Sequence, residues 1–361
     1  MVATSEHKGN SSGDTSGKLT IVGTGIQAVS QMTVEALGYI SDADIVFYHA
    51  TNGVTASQIE ALNSNAVDLY EYYGEGKSRS LTYIQMAELM LREVRRGRNV
   101  VGVFHGHPGY FVSPARRALA IASQEGYSTT LLPGVSAPDC MFADLRVDPG
   151  VRGCQILMAS YILKDENILA TSGHVVFLQV NAVGDSGFSF SGHRSARLPE
   201  FIERLIAIYG ETQECIYYMA AVYPGCDPEI STRQLADYRR PEVLVGVGPG
   251  IFYLPPKGMT VSSMQNFQAF NGRDPYRPVD RQAVDELATH RTPQEFLLRR
   301  ASAPLLRAMS ELGMSASARE LYCLHASAFL ERHPDLTADE RAALARRRVA
   351  PIRSVTTKRL T

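Results

Sequence analysis

The amino-acid sequence predicts an α/β protein followed by an all-α appendage. Short apolar, β-branched runs alternate with helical patterns from Lys18 to Leu254, as expected of strands joined by crossover helices. Several of these runs stop abruptly in glycine-bearing loops: Gly23-Thr24-Gly25, His105-Gly106-His107-Pro108-Gly109, Pro133-Gly134 and Gly248-Pro249-Gly250. Past Pro255-Pro256 the composition changes, and Arg281 to Ala345 reads as helical and strand-free. The 361 residues leave room for two domains, or for one large domain with an appendage, at roughly 100–200 residues each.

Taken in order, Met1 to Gly17 is rich in Ser, Gly, Thr and charge, has almost nothing to bury, and is expected to be a disordered tail. Leu19 to Val22 is the first strand, followed by a glycine turn and a helix over Thr33 to Ile40. Ala43 to Tyr48 reads as a second strand, Val54 to Leu62 as a helix, Ala66 to Tyr73 as a further strand and Thr82 to Arg96 as a helix. Val100 to Phe104 is a run that a parallel sheet can bury on both faces, and it delivers the His105 to Gly109 loop. Glycines there let backbone approach a ligand, Pro108 fixes one φ, and the carboxyl ends of strands are where open α/β sheets bind ligands. Ala115 to Glu125 is a helix and Ser128 to Leu132 a strand that ends in Pro133-Gly134-Val135-Ser136-Ala137. Two junctions of this type imply one crevice between them.

A second, mixed α/β layer follows: strands over Cys154 to Met158, His174 to Val180 and Glu214 to Met219, and a helix over Pro199 to Tyr209. Val243 to Leu254 reads as a last strand or hairpin around Gly248-Pro249-Gly250. Met264 to Asp280 is polar and irregular. Gln294 to Leu312 and Ser315 to Glu331 carry apolar stripes at helical spacing, and Thr337 with Glu340 forms a capping box for a third helix. Arg346 to Thr361 is basic and reads as too polar to pack. The expected domains are thus a tail over 1–17, an α/β domain over 18–255, a helical region over 256–345 and a tail over 346–361.

Lys plus Arg (36) and Asp plus Glu (37) nearly cancel, so no global field draws the chain to nucleic acid or an anionic membrane. The five cysteines form no CxxC pair, which suits a reducing cytoplasm and argues against a zinc site or a disulfide framework. No apolar run approaches the roughly 18 residues that span a bilayer. Gly23-x-Gly25-x-x-Ala28 lacks the third glycine of the dinucleotide fingerprint, so a nicotinamide enzyme is the weaker alternative.

Together, the opening strand with Gly23-Thr24-Gly25, the Ala43-Asp44-Ile45-Val46 strand, Gly102-Val103-Phe104-His105-Gly106-His107-Pro108-Gly109, Leu132-Pro133-Gly134-Val135-Ser136 and Gly248-Pro249-Gly250 resemble the tetrapyrrole-methylase fold of S-adenosylmethionine (SAM) enzymes, over roughly residues 18–255. Within that superfamily, the Gly-His-Pro-Gly loop and the corner formed by Tyr70, Tyr73, Arg79 and Tyr83 are similar to the borosin peptide backbone α-N-methyltransferases. The helical segment after residue 255 resembles that family's clasp or precursor-recognition region.

The resemblance implies that SAM lies among the loops at His105, His107, Pro108, Gly109, Tyr110, Phe111, Val112, Ser136, Ala137, Gly248 and Pro249, and leaves as S-adenosylhomocysteine. It implies catalysis by Tyr70, Tyr73, Arg79 and Tyr83, a homodimer, and a precursor peptide supplied in cis by residues 346–361 or in trans. No metal is expected. An amide nitrogen is a poor nucleophile because its lone pair is delocalised into the carbonyl. Tyr73 and Tyr83 donating to the amide oxygen would stabilise the charge growing there. Arg79 would hold a neighbouring tyrosine, Tyr83 or Tyr73, as a phenolate base. Three departures stand out: the first loop lacks the proline and acidic residue common in porphyrin-type enzymes, His105 stands where a tyrosine is common in borosins, and the C-terminal residues are basic. A small-molecule methylase of the tetrapyrrole type and a non-enzymatic peptide-binding relative are the alternatives.

Overall fold

The computed structural model describes residues 16–165, 168–193, 196–265, 285, 287, 289–290 and 297–359. They divide into two compact units. One comprises the described residues up to Ala36 together with Ala43–Met264; the other comprises Leu37–Asp42 and the described residues from Gln265 on.

The first unit holds two sheets. Strands β1 (Lys18–Gly23), β2 (Ile45–His49), β3 (Ala66–Asp68), β4 (Asn99–Phe104) and β5 (Ser128–Leu131) form a fully parallel sheet in the order β3-β2-β4-β1-β5. Register pairs Gly23 with Phe104 and His49 with Phe104, so the carboxyl ends of β1, β2 and β4 line up. Helices α1 (Val34–Asp42), α2 (Gly53–Leu62), α3 (Arg79–Arg95) and α4 (Ser113–Gln124) supply the crossovers. Leu19, Ile21, Val100 and Phe47 pack with Met86, Met90, Leu91 and Ala118 from α3 and α4. Burying one β-branched or aromatic side chain of this kind contributes about 1.5–3 kcal/mol.

After α5 (Ala137–Leu145), strands β6 (Cys154–Met158), β7 (His174–Leu178), β8 (Glu214–Met219), β9 (Glu229–Gln234) and β10 (Ile251–Leu254) build a mixed sheet in the order β6-β7-β10-β8-β9. Only the β6–β7 pair is parallel. One face is covered by α6 (Leu198–Tyr209) through Phe201, Ile202 and Leu205. The opposite face receives Ile26, Met141 and Leu145. Short helices α7 (Pro241–Val245) and α8 (Val261–Gln265) flank β10.

Of the second unit, helices α9 (Ala303–Met314), α10 (Ala316–Leu324), α11 (Ala326–Glu331), α12 (Ala338–Ala345) and α13 (Val349–Val355) are described. Leu305, Ala318, Phe329, Leu330 and Leu344 form their core. The Thr337–Glu340 capping box is present, and the Tyr322 hydroxyl donates to the Leu344 carbonyl at 2.5 Å. Arg319 lies 4.6 Å over the Tyr39 ring, and Asp42 accepts from the Ser317 amide.

Several expectations are corrected. Residues 281–345 are not strand-free, because Leu297–Arg299 (β11) pairs antiparallel with Thr357–Arg359 (β12). The segment read as too polar to pack instead forms α13 and β12, where Ile352 and Val355 meet the helical core. The 66–73 strand stops at Asp68, whose side chain accepts from the Tyr70 amide and starts a 3₁₀ turn over Leu69–Tyr72. Val243–Val247 is no strand: Pro241, with φ preset for a helix start, opens α7. Residues 1–15 of the expected tail and most of 264–280 lie outside the described residues. Among the described residues, no helix is long and apolar enough to cross a membrane.

Candidate active site

Strand ends bring the loops together. Gly25 and Gly106 form a β-bridge, the Gly106 amide donating to the Gly25 carbonyl at 2.9 Å. A Cβ on Gly23 would lie 2.2 Å from the Gly106 carbonyl oxygen and 2.7 Å from the Pro108 ring, closer than real side chains come. A Cβ on Gly134 would meet the same two residues at 3.1 and 3.3 Å. The three strand-to-loop junctions read from sequence are therefore pressed into one backbone-lined corner, which only glycine permits. The His107 ring accepts from the Gly109 amide through Nδ1 at 2.9 Å and stacks on exposed Tyr110. Phe111 adopts the left-handed region (φ 57°), unusual for a bulky residue, and half-buried Val112 leads into α4.

Ser136 caps α5 with reciprocal bonds to Asp139, which fixes Ala137 at the first helical position. Phe111 and Ala137 then pack against the face of the second sheet formed by Val176, Ile216 and Ile251. Gly248 has different surroundings. Its Cβ position lies 3.0 Å from the Tyr217 hydroxyl, on the face of that sheet covered by α6; Pro249 is exposed.

The tyrosine corner forms where β3 runs out into its 3₁₀ turn. Tyr70 and Tyr73 lie with ring centroids 5.6 Å apart, and Tyr83 on α3 meets Tyr73 edge-on at 6.5 Å. Burial, reinforced by Tyr83 and its hydrogen bond, pushes the Tyr73 phenol above its ordinary range, while the Arg79 cation pulls the other way. Tyr73 therefore rests as a protonated donor rather than as a standing phenolate, the reverse of the direction expected from Arg79 alone. The Arg79 guanidinium donates to the Asp185 carbonyl.

That bond belongs to a feature which sequence reasoning missed. Residues 185–190 run antiparallel to 75–79 as a strap from the second sheet's side. The Gly76 amide donates to the Phe188 carbonyl (2.8 Å), the Phe188 amide to the Lys77 carbonyl (3.0 Å), and Ser78 bridges Gly187. Phe188 stacks on Tyr73 at 4.3 Å, and Phe190, 62 % exposed, lies edge-on to Tyr70. The available signal was a pair of phenylalanines inside the polar run Gly184-Asp185-Ser186-Gly187-Phe188-Ser189-Phe190. His49 was also missed. It ends β2 beneath the tyrosines, 5.6 Å from the Tyr73 ring and 6.2 Å from Tyr70. Its neighbour His105 bonds the Thr51 hydroxyl through Nδ1 at 3.2 Å. Burial pulls the His105 imidazole down to about 4, aided by His49, and burial lowers His49 against the opposing charge of Asp68.

Residues 18–228 match the family of tetrapyrrole (corrin/porphyrin) methylases, and residues 275–360 match the borosin biosynthesis clasp domain. The chain is 41% identical to the methyltransferase/ribosomally synthesized cyclic peptide omphalotin A precursor of Omphalotus olearius, over 91% of this chain and 85% of that protein. It is 40% identical to the dendrothelin A precursor of Dendrothele bispora and 39% identical to the lentinulin A precursor of Lentinula edodes, both likewise named methyltransferase/ribosomally synthesized cyclic peptide precursors, each over 91% of this chain and 85% of that protein. With family matches over both parts of the chain and relatives of this identity covered over most of their length, the chain belongs to the borosin family of methyltransferases.

Proposed function

We propose that this methyltransferase uses SAM to methylate backbone amide nitrogens of a ribosomally made precursor peptide. The carrying observation is the corner of Tyr70, Tyr73, Tyr83 and Arg79, roofed by Phe188 and Phe190 and set beside the glycine loops. It offers hydroxyl donors and a cation to an amide oxygen, inside aromatic walls that suit a peptide rather than a highly charged macrocycle.

The loops fit SAM by their chemistry. Backbone at Gly106, Pro108 and Gly109 packs closely at the strand end, and exposed Tyr110 stacked on His107 offers an aromatic face. Ser136 and Ala137 stand at a helix N-terminus, and His105, Phe111, Val112, Gly248 and Pro249 complete the set. Aromatic faces attract an onium cation by about 0.5–2 kcal/mol. Bound there, SAM supplies an electrophilic methyl on a sulfonium. The protein's own task is to polarise the amide: Tyr73 and Tyr83 donate to its oxygen, and Arg79 holds the strap at Asp185 and stabilises developing negative charge.

The peptide comes in cis or in trans, and the clasp holds a homodimer in which one protomer presents peptide to the other. Exposed Leu306, Met314 and Leu324 on the helical unit support that assembly. The five free cysteines suit a reducing cytoplasm. Intact-mass and tandem mass spectrometry of the purified chain, before and after incubation with SAM, test the reading. Methyl-sized increments on backbone nitrogens between Arg346 and Thr361 establish self-modification. No increment there, with transfer to an added precursor peptide, establishes action in trans; no transfer to any peptide overturns the proposal.

A further inference from the structure

Helix α3 carries both Arg79 and Tyr83, yet Ser78 at its N-cap makes no capping side-chain bond. The strap over 185–190 supplies partners instead. The Ser186 carbonyl accepts from the Arg79 amide at 3.2 Å, the Asp185 carbonyl accepts from the Arg79 guanidinium, and the Phe190 amide donates to the Glu75 carboxylate at 2.9 Å. With the bonds of Gly76 and Lys77 to Phe188, these fasten the connection that joins Tyr73 to the start of α3. The strap's side chains continue the pattern. Half-buried Phe188 lies face-on to Tyr73 at 4.3 Å with 27° between the rings, whereas His49 and Tyr83 meet Tyr73 edge-on at 5.6 and 6.5 Å. Phe190 then meets Phe188 edge-on at 5.0 Å and Tyr70 at 6.3 Å, and the rings of Phe190 and Tyr70, 62 % and 42 % exposed, face solvent side by side. Single exposed apolar side chains are ordinary; a contiguous pair leading out of a buried aromatic series marks a contact surface.

We propose that the strap is a positioning and specificity element of the methyl-transfer site: Phe188 is a positioning residue that fixes the Tyr73 ring, and Phe190 with Tyr70 forms an aromatic lip for the peptide side chain beside the acceptor amide. The inference rests on the reading of the site given above. A phenol that must aim its hydroxyl at an amide oxygen tolerates little rotation of its ring, and a stacked neighbour sets the plane of that ring and so the direction of the oxygen. Phe188 touches Tyr73 and acts through it. Phe190 stands farther out, beyond Phe188, where an apolar side chain laid across the two exposed rings leaves water and gains contact. The backbone pairing with residues 75–79 holds both phenylalanines in register with the corner, so the second sheet's loop completes a site whose donors come from the first.

The test is single-turnover methyl transfer at saturating SAM to a valine-rich synthetic peptide and to its counterpart with glycine at the acceptor position, each offered free and fused after Thr361 of the full chain. Phe188→Leu, which keeps apolar bulk and loses the ring face, should lower the rate on both peptides by roughly 10- to 100-fold. Phe188→Tyr, which keeps the ring, should return it to within about threefold of wild type. SAM affinity, read by calorimetry, should stay within about twofold in both variants. Phe190→Ala should cut the ratio of the valine to the glycine rate by roughly 10-fold. A wild-type rate in Phe188→Leu, a Phe188→Tyr variant as slow as Phe188→Leu, or a wild-type ratio in Phe190→Ala overturns the inference. If Phe188→Leu does not fold, the ratio in Phe190→Ala, a change at an exposed side chain, decides it. A wild type that binds SAM and methylates neither peptide, free or fused, overturns the proposed function instead, and with it this inference.

Discussion

The two sheets of the methylase unit do different work with the same materials. The first is wholly parallel, so every strand delivers its loop to one end, and the histidines, the glycine loops and the turn carrying Tyr70 and Tyr73 gather there. The second is mixed, so its strand ends point both ways; its contribution is a broad face for Phe111 and Ala137 and the strap that carries Phe188 and Phe190. Parallel topology concentrates chemistry, whereas a mixed sheet packed on both faces supplies rigidity and a cover.

The sharpest way to break that division is to remove a side chain from the supporting sheet. Phe252 is wholly buried between Phe201, Tyr217 and Tyr238. Phe252→Ala should cost about 3–5 kcal/mol, measured by urea denaturation, and weaken SAM binding only through unfolding. Arg79→Ala tests the chemistry of the first sheet. Methyl transfer should fall about 10²–10³-fold while SAM affinity, read by calorimetry, holds.

Glycine substitutions compare the loops of the two sheets directly. Gly23→Ala drives a methyl group into the Gly106 backbone and should cost about 1–3 kcal/mol together with SAM affinity. Gly248→Ala meets only the far end of the Tyr217 side chain at 3.0 Å, and should cost under about 1 kcal/mol.

The mildest test is pH. His49 and His105 in the first sheet and His174 in the second all have lowered pKa values, each chiefly through burial. In every case the unfolded chain binds the proton more readily, so stability is fully present above about pH 6.5 and is lost as pH falls through the folded values. The slope is about 1.4 kcal/mol per pH unit for each group in its window, and for His105 the window reaches down to about pH 4. Thermal melts of His105→Gln and His174→Gln across pH 4–7 should each flatten the profile by one group's share.

Elements with a strong apolar signal were legible. Leu19–Val22 and Val100–Phe104 could hardly be anything but buried strands, and Thr337 with Glu340 marks a helix start by hydrogen-bonding logic alone. Strand β9 was invisible because Glu-Ile-Ser-Thr-Arg-Gln is an exposed edge, held by the register of β8 rather than by its own pattern. Strands β11 and β12 escaped for a similar reason: three residues each carry too little periodicity, and their pairing joins residues far apart in the chain. Burial raises the Tyr73 phenol against the pull of Arg79; charge proximity is readable from an Arg-x-x-x-Tyr spacing, whereas burial is not.

Local chemistry in the sequence determined the parallel sheet, the glycine loops at its strand ends, the Tyr70–Tyr73–Arg79–Tyr83 corner and, by resemblance, the family. Backbone constraints and β-branched runs act within a few residues, so the sequence alone expresses them. Tertiary structure decided which groups stand behind that corner and which cover it. His49 reaches Tyr73 because β2 and β3 share a register, and Phe188 reaches it because a loop more than a hundred residues downstream crosses to pair with residues 75–79. Burial and the pKa values that follow from it belong to that second kind of information, because they depend on what the rest of the chain places around a side chain.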